Sequence, residues 1–119
     1  MLLGRALQKY QRTLPLAIEI GEDLERRVTA KFKTRRVAVA RLSRETDQTY
    51  STAYDYFKEY LSGGVSNIIY PPNTNSQRER NQIELNLRNL ALFYKILGIE
   101  RNDPVIAKTK EINPNFKYS

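Results

Sequence analysis

The sequence predicts a mainly α-helical domain organised around two short helices and the tight turn between them. Three observations lead there. Residues 35–61, RRVAVARLSRETDQTYSTAYDYFKEYL, carry apolar side chains at helical spacing on both sides of a polar break. Hydrophobic residues make up 40% of the 119-residue chain, enough for one modest core. Cysteine and histidine are both absent, which removes disulfides, thiolate metal sites, the commonest general base and the commonest transition-metal ligand. A binding protein is therefore expected rather than an enzyme, with no cofactor and no metal.

The elements follow in order. Residues 1–13 predict a short amphipathic helix with Leu3, Leu7 and Tyr10 on its apolar stripe, broken by Thr13 and Pro15. Residues 14–21 fit two patterns. Leu16, Ile20, Leu24, Val28 and Phe32 make a helical i, i+4 stripe, whereas Leu14, Leu16, Ile18 and Ile20 alternate like a strand ended by Gly21. From Glu22 to Lys33 a helix is expected, with acids at its start and bases at its end, as the helix dipole favours.

The next helix is expected over residues 37–46, with Val39, Leu42 and Thr46 on one face. Asp47, Gln48 and Thr49 form the turn. The following helix runs from about Tyr50 to Leu61, with Ala53, Phe57 and Leu61 at i, i+4 and i+8. Ala53 is small where the two helices would cross, so their backbones can approach. Away from that face lie Tyr50, Ser51, Tyr54, Asp55 and Lys58, all able to hydrogen-bond.

The run LSRETDQTYSTAYDYF resembles the helix-turn-helix core of many bacterial and archaeal DNA-binding domains. Ser51, Thr52, Ala53 and Tyr54 match the start of the family's recognition helix. Ser43 stands where the family favours Ala, Asp47 where a turn Gly is usual, and Gln48 where a small apolar residue is usual. Asp tolerates left-handed backbone angles better than most residues. The resemblance covers about a quarter of the chain. It implies that the second helix lies in the major groove, with base edges in reach of Gln48, Thr49, Tyr50, Ser51, Tyr54, Asp55 and Lys58. The strand pattern of residues 14–20 supports a second-ranked fold, ribbon-helix-helix-like. Its outward residues Pro15, Ala17 and Glu19 are poor base readers.

Charge points the same way. The net charge is +7. Eight basic residues fall between positions 26 and 44 with no acid among them: Arg26, Arg27, Lys31, Lys33, Arg35, Arg36, Arg41 and Arg44. These are the expected phosphate contacts.

After Leu61, Ser62, Gly63 and Gly64 are expected to end the helix. Residues 65–70 are β-prone and residues 71–75 read as loop, a pattern that fits a minimal wing, and so a winged helix, or an ordinary extended connector. Residues 76–98 predict a long amphipathic helix, opened by a capping box of Ser76 and Glu79 and closed by Gly98. Ile83, Leu87, Leu90, Tyr94 and Leu97 step by heptads, as a core stripe or a homodimer seam would. Residues 99–119 read as a loosely ordered tail, with Val105 and Ile106 docking on the body and Phe116 and Tyr118 anchoring the end.

The expected organisation is thus an N-terminal helix or arm (1–21), a helix-turn-helix core (22–75), a long helix for core or dimerisation (76–98) and a tail (99–119). The expected function is sequence-specific binding of double-stranded DNA by a small dimeric regulator, or by a replication, partition or mobile-element accessory factor. The alternatives are a protein-protein adaptor, such as a viral or plasmid accessory protein, and a structured-RNA binder. Arg5 and Lys9 interrupt the apolar N-terminus and no apolar run approaches the roughly 20 residues of a membrane span. The expected location is the cytoplasm, at the nucleoid.

Overall fold

The structure is a computed structural model and describes residues 5–61 and 77–119. Those residues form five helices: α1 (Arg5–Phe32), α2 (Arg35–Thr46), α3 (Tyr50–Leu61), α4 (Gln77–Ile96) and α5 (Pro104–Ile112). No strand occurs among the described residues. The expected cap at Gly63 and Gly64, the expected wing at 65–75 and the expected cap at Ser76 lie outside them.

α1 is a single helix of 28 residues with Pro15 inside it. This corrects the expected break at Thr13 and Pro15, and residue 21 marks no boundary between elements. It also overturns the strand at 14–20, and with it the ribbon-helix-helix-like alternative. The physical reason is the burial pattern. Ala17, Ile20, Leu24 and Val28 are each at most 2% exposed along one side of α1, so helical phase is kept from residue 17 to residue 28. Packing of that stripe outweighs the backbone hydrogen bond that Pro15 forfeits. Thr13, expected at the break, is instead buried within the helix. Ile18, on the other side, is exposed.

Lys33 ends α1 in a left-handed conformation (φ 64°). Thr34 then caps α2, its hydroxyl accepting from the Val37 N–H at 3.3 Å. That cap moves the start of α2 two residues ahead of the expected position. The α2–α3 turn falls where the sequence predicted it. Asp47 adopts left-handed angles (φ 52°, ψ 44°) and donates to the Arg44 and Ser43 carbonyls. Gln48 N–H donates to the Ser43 carbonyl at 3.1 Å, and Ser43 Oγ donates back to the Gln48 carbonyl at 2.5 Å. Thr49 caps α3, its hydroxyl accepting from the Thr52 N–H at 3.3 Å.

α1 packs on α2, α3 and α5, while α4 packs on α2 and α3. The centre of the core holds Leu24, Val28, Val39, Leu42, Ala53, Phe57, Tyr60, Leu90, Phe93 and Tyr94. Phe57 meets Phe93 edge-on at 5.8 Å, and Tyr60 stacks on Phe93 at 5.3 Å. Each large apolar side chain buried this way stabilises by roughly 1.5–3 kcal/mol.

The segment after α4 is not a loose tail. Asp103 caps α5 by accepting from the Val105 N–H at 3.0 Å, and Pro104 opens the helix with its φ already set. Val105, Ile106, Thr109, Ile112 and Phe116 are buried. Tyr118 donates to the Ile99 carbonyl at 2.6 Å. The long helix expected over residues 76–98 is α4, of 20 residues; it is followed by another, and the longest described helix is α1.

Candidate nucleic-acid interface

The expected base-reading residues separate into two groups. Gln48 and Thr49 belong to the turn. Gln48 Oε1 is buried, without a hydrogen-bond partner among the described residues. The Thr49 hydroxyl is engaged by Thr52, through its N–H at 3.3 Å and its hydroxyl at 3.0 Å. The Thr49 hydroxyl is thus occupied in capping α3 although the residue is exposed, and Gln48 is half-buried. Tyr50, Ser51, Tyr54, Asp55 and Lys58 lie exposed on α3. Tyr50 and Tyr54 keep 45% and 42% of their surface in solvent, which is unusual for large aromatic residues. Asp55 and Lys58 pair loosely across one turn at 3.8 Å.

The eight expected phosphate cations are not equivalent. Arg27 is committed internally. Its guanidinium donates to both carboxylate oxygens of Asp103 at 2.9 Å and to Asp23 at 3.0 Å. Burial alone would lower the pKa of Arg27, but the hydrogen bonds it donates to Asp103 and Asp23 raise it overall. For Asp103, burial works upward, yet the Val105 N–H and the Arg27 guanidinium hold its carboxyl below the ordinary value. Arg27 is therefore removed from the phosphate set. Lys31 is partly committed too. Its ammonium rides 5.9 Å over the Phe32 ring and lies 3.5 Å from where a Cβ on Gly98 would stand, at the carbonyl end of α4.

Arg26, Arg35 and Arg41 form exposed ion pairs with Asp23, Glu25 and Glu45. Such pairs are worth only about 0–1 kcal/mol, so a phosphate can exchange for the carboxylate. Lys33, Arg36 and Arg44 have no ion-pair partner among the described residues. Arg36, Ala40 and Arg44 recur at i, i+4 and i+8 and so share one side of α2. Arg36, Ala40 and Tyr50 line an open depression between α2 and the start of α3. Val37, next to Arg36 in the chain, is 51% exposed. The helical spacing of Arg36, Ala40 and Arg44 was readable from the sequence; the folding of Tyr50 onto that row was not.

The expected dimer seam is also corrected. Leu87, Leu90 and Tyr94 are at most 6% exposed in the single chain, and Leu97 is partly buried against the same core. The side chain of Ile83 lies outside the described ones. The described seam residues cover α2, α3 and α5, so they are not free to meet a second copy. Among the described side chains of α4, Leu85 is a large apolar residue left exposed, at 38%.

No helix among the described residues is long and apolar enough to cross a membrane. No group of side chains able to hold a metal ion occurs among them. Comparison with protein-family models, curated proteins and solved structures finds no match to this chain.

Proposed function

We infer that this chain binds double-stranded DNA through α2, the turn and α3, used as a helix-turn-helix. It would serve as a small regulator or as an accessory factor in replication, partition or mobile-element chemistry. One observation carries the reading: Tyr50, on the exposed polar and aromatic side of α3, adjoins the α2 row of Arg36 and Arg44, which have no ion-pair partner among the described residues. Arg36, Arg44 and Lys33 take phosphates, and Arg26, Arg35 and Arg41 join them by exchanging carboxylate for phosphate. Ser51, Tyr54, Asp55 and Lys58 face base edges, with Asp55 suited to a cytosine amino group and unsuited to phosphate.

The test is fluorescence anisotropy of random duplex DNA across a salt series. Three free cations and three exchangeable ones correspond to a slope of log affinity against log salt of roughly −3 to −5. Enrichment of one sequence from a random pool supports base reading by α3. A flat salt response refutes the assignment.

A further inference from the structure

α3 itself offers little positive charge to phosphate. Its only cation, Lys58, is outnumbered by Asp55 and Glu59. α2 is the reverse, with Arg35, Arg36, Arg41 and Arg44 against Glu45. The field that attracts a polyanion therefore comes from α2; Tyr50 of α3 lines the depression with Arg36 and Ala40, and Tyr54 follows it one turn along the same side of α3. Asp55 is rotated by about 100° from Tyr54 around the helix axis.

Tyr50 and Tyr54 are one turn apart on α3, separated by about 6 Å of axial rise. Neither ring contacts another aromatic ring or forms a hydrogen bond among the described residues. That contrasts with Tyr60, Tyr94 and Tyr118, each of which stacks or packs edge-on in the interior. Two unengaged rings in series, a small Ala40 floor and unpaired Arg36 and Arg44 make a stacking platform beside an electrostatic track. Unstacked bases present π-faces to such a platform whatever their sequence, while the arginines follow the phosphates. A closed duplex offers its base edges and not its faces.

We propose that the Arg36–Ala40–Tyr50 depression, extended by Tyr54 and Arg44, binds single-stranded nucleic acid, with consecutive bases on the two tyrosine rings and phosphates on the two arginines. The site rests on reading this surface as a nucleic-acid interface, but it does not require duplex recognition. Both single-stranded DNA and single-stranded RNA carry the needed chemistry.

The experiment measures anisotropy of a labelled oligothymidylate of roughly 12 nucleotides, within the span of small single-strand sites. An oligouridylate of the same length and a hairpin duplex run in parallel. Wild type is compared with Tyr50→Leu, Tyr54→Leu, Tyr50→Phe, Tyr54→Phe and Arg36→Gln, each checked for folding by circular dichroism. These side chains are exposed, so the fold should survive. Each Leu variant should weaken oligothymidylate binding roughly five- to a hundred-fold, as loss of one stacked base does. Each Phe variant, which keeps the ring, should stay within about two-fold. The duplex should respond less to the Leu variants than the single strand does. The oligouridylate arm reports whether the site takes RNA as well as DNA. Leu variants that bind like wild type overturn the platform. Duplex binding with no oligothymidylate binding overturns it too, and leaves the duplex reading standing. Absence of binding to all three probes overturns both.

Discussion

Replacing Arg27 with methionine is the most informative single change, because sequence and structure give it opposite roles. By sequence it is one of eight cations in a phosphate-binding window. In the fold its guanidinium spans Asp23 on α1 and Asp103 at the start of α5, with its side chain 31% exposed and that of Asp103 21% exposed. An exposed ion pair contributes about 0–1 kcal/mol, and breaking a fully buried one costs about 3–5 kcal/mol. This half-buried, bidentate pair should fall between, at about 2 kcal/mol, and methionine keeps most of the stem packing. For a domain of this size that corresponds to a melting temperature lower by about 8 °C. Asp103→Asn should lose much of the same energy while keeping the α5 cap, since Asn caps as well as Asp; Asp103→Ala should lose about 1 kcal/mol more.

Thermal and urea unfolding of Arg27→Met, Asp103→Asn and the double variant close a thermodynamic cycle. The coupling should be about 1–2 kcal/mol at neutral pH. The Asp103 carboxyl is held below its ordinary value, so its contribution is present above about pH 4, the unfolded value, and is lost as pH falls through the folded one. The gap between wild type and Asp103→Asn should therefore narrow in acid. The salt slope for DNA should not change in Arg27→Met. A coupling below about 0.3 kcal/mol would refute the structural role, and a slope reduced by one would return Arg27 to the phosphate set.

Three other outcomes are expected. Arg36→Gln with Arg44→Gln should weaken binding to all duplex sequences and make the salt slope shallower by about two, with unfolding unchanged. Tyr94→Phe should cost about 1 kcal/mol in chemical denaturation. The Thr109 hydroxyl donates to the Val105 carbonyl at 2.7 Å, so the buried Tyr94 hydroxyl, 2.8 Å away, must be the donor to it. Its loss leaves an acceptor lone pair empty; an unchanged midpoint would contradict that assignment. Asp47→Gly should leave stability within about 0.5 kcal/mol, whereas Asp47→Val should lose about 1–2 kcal/mol. Equal stability of the two variants would argue against the left-handed turn.

What was legible in the sequence was what depends on neighbours along the chain. The turn at Asp47 to Thr49, the extent of α3 and the buried faces of Val39, Leu42, Ala53, Phe57 and Leu61 follow from helical period and turn chemistry, and they fall at the predicted positions. The exposed set Tyr50, Ser51, Tyr54, Asp55 and Lys58 follows from the same period. Pro15 misled because its local cost is real, but a stripe of buried residues from Ala17 to Val28 outweighs it. The last 21 residues misled because their prolines and asparagines are turn formers, yet Pro104 and Asn113 sit at the two ends of a helix and not within a disordered run.

Charge was the part that sequence could count but not assign. A window of eight cations is a linear fact. Whether a given cation is free depends on carboxylates that approach from elsewhere. Asp103 reaches Arg27 across 76 positions and occupies its guanidinium. Glu25, ten residues before Arg35, reaches it only because the chain reverses at Lys33 and Thr34. The same applies to the heptad row on α4. Its spacing determined that Leu87, Leu90 and Tyr94 would be buried. Only tertiary packing decided that the covering surface is this chain's own, because hydrophobic burial is non-directional and is satisfied by whichever apolar face is nearest.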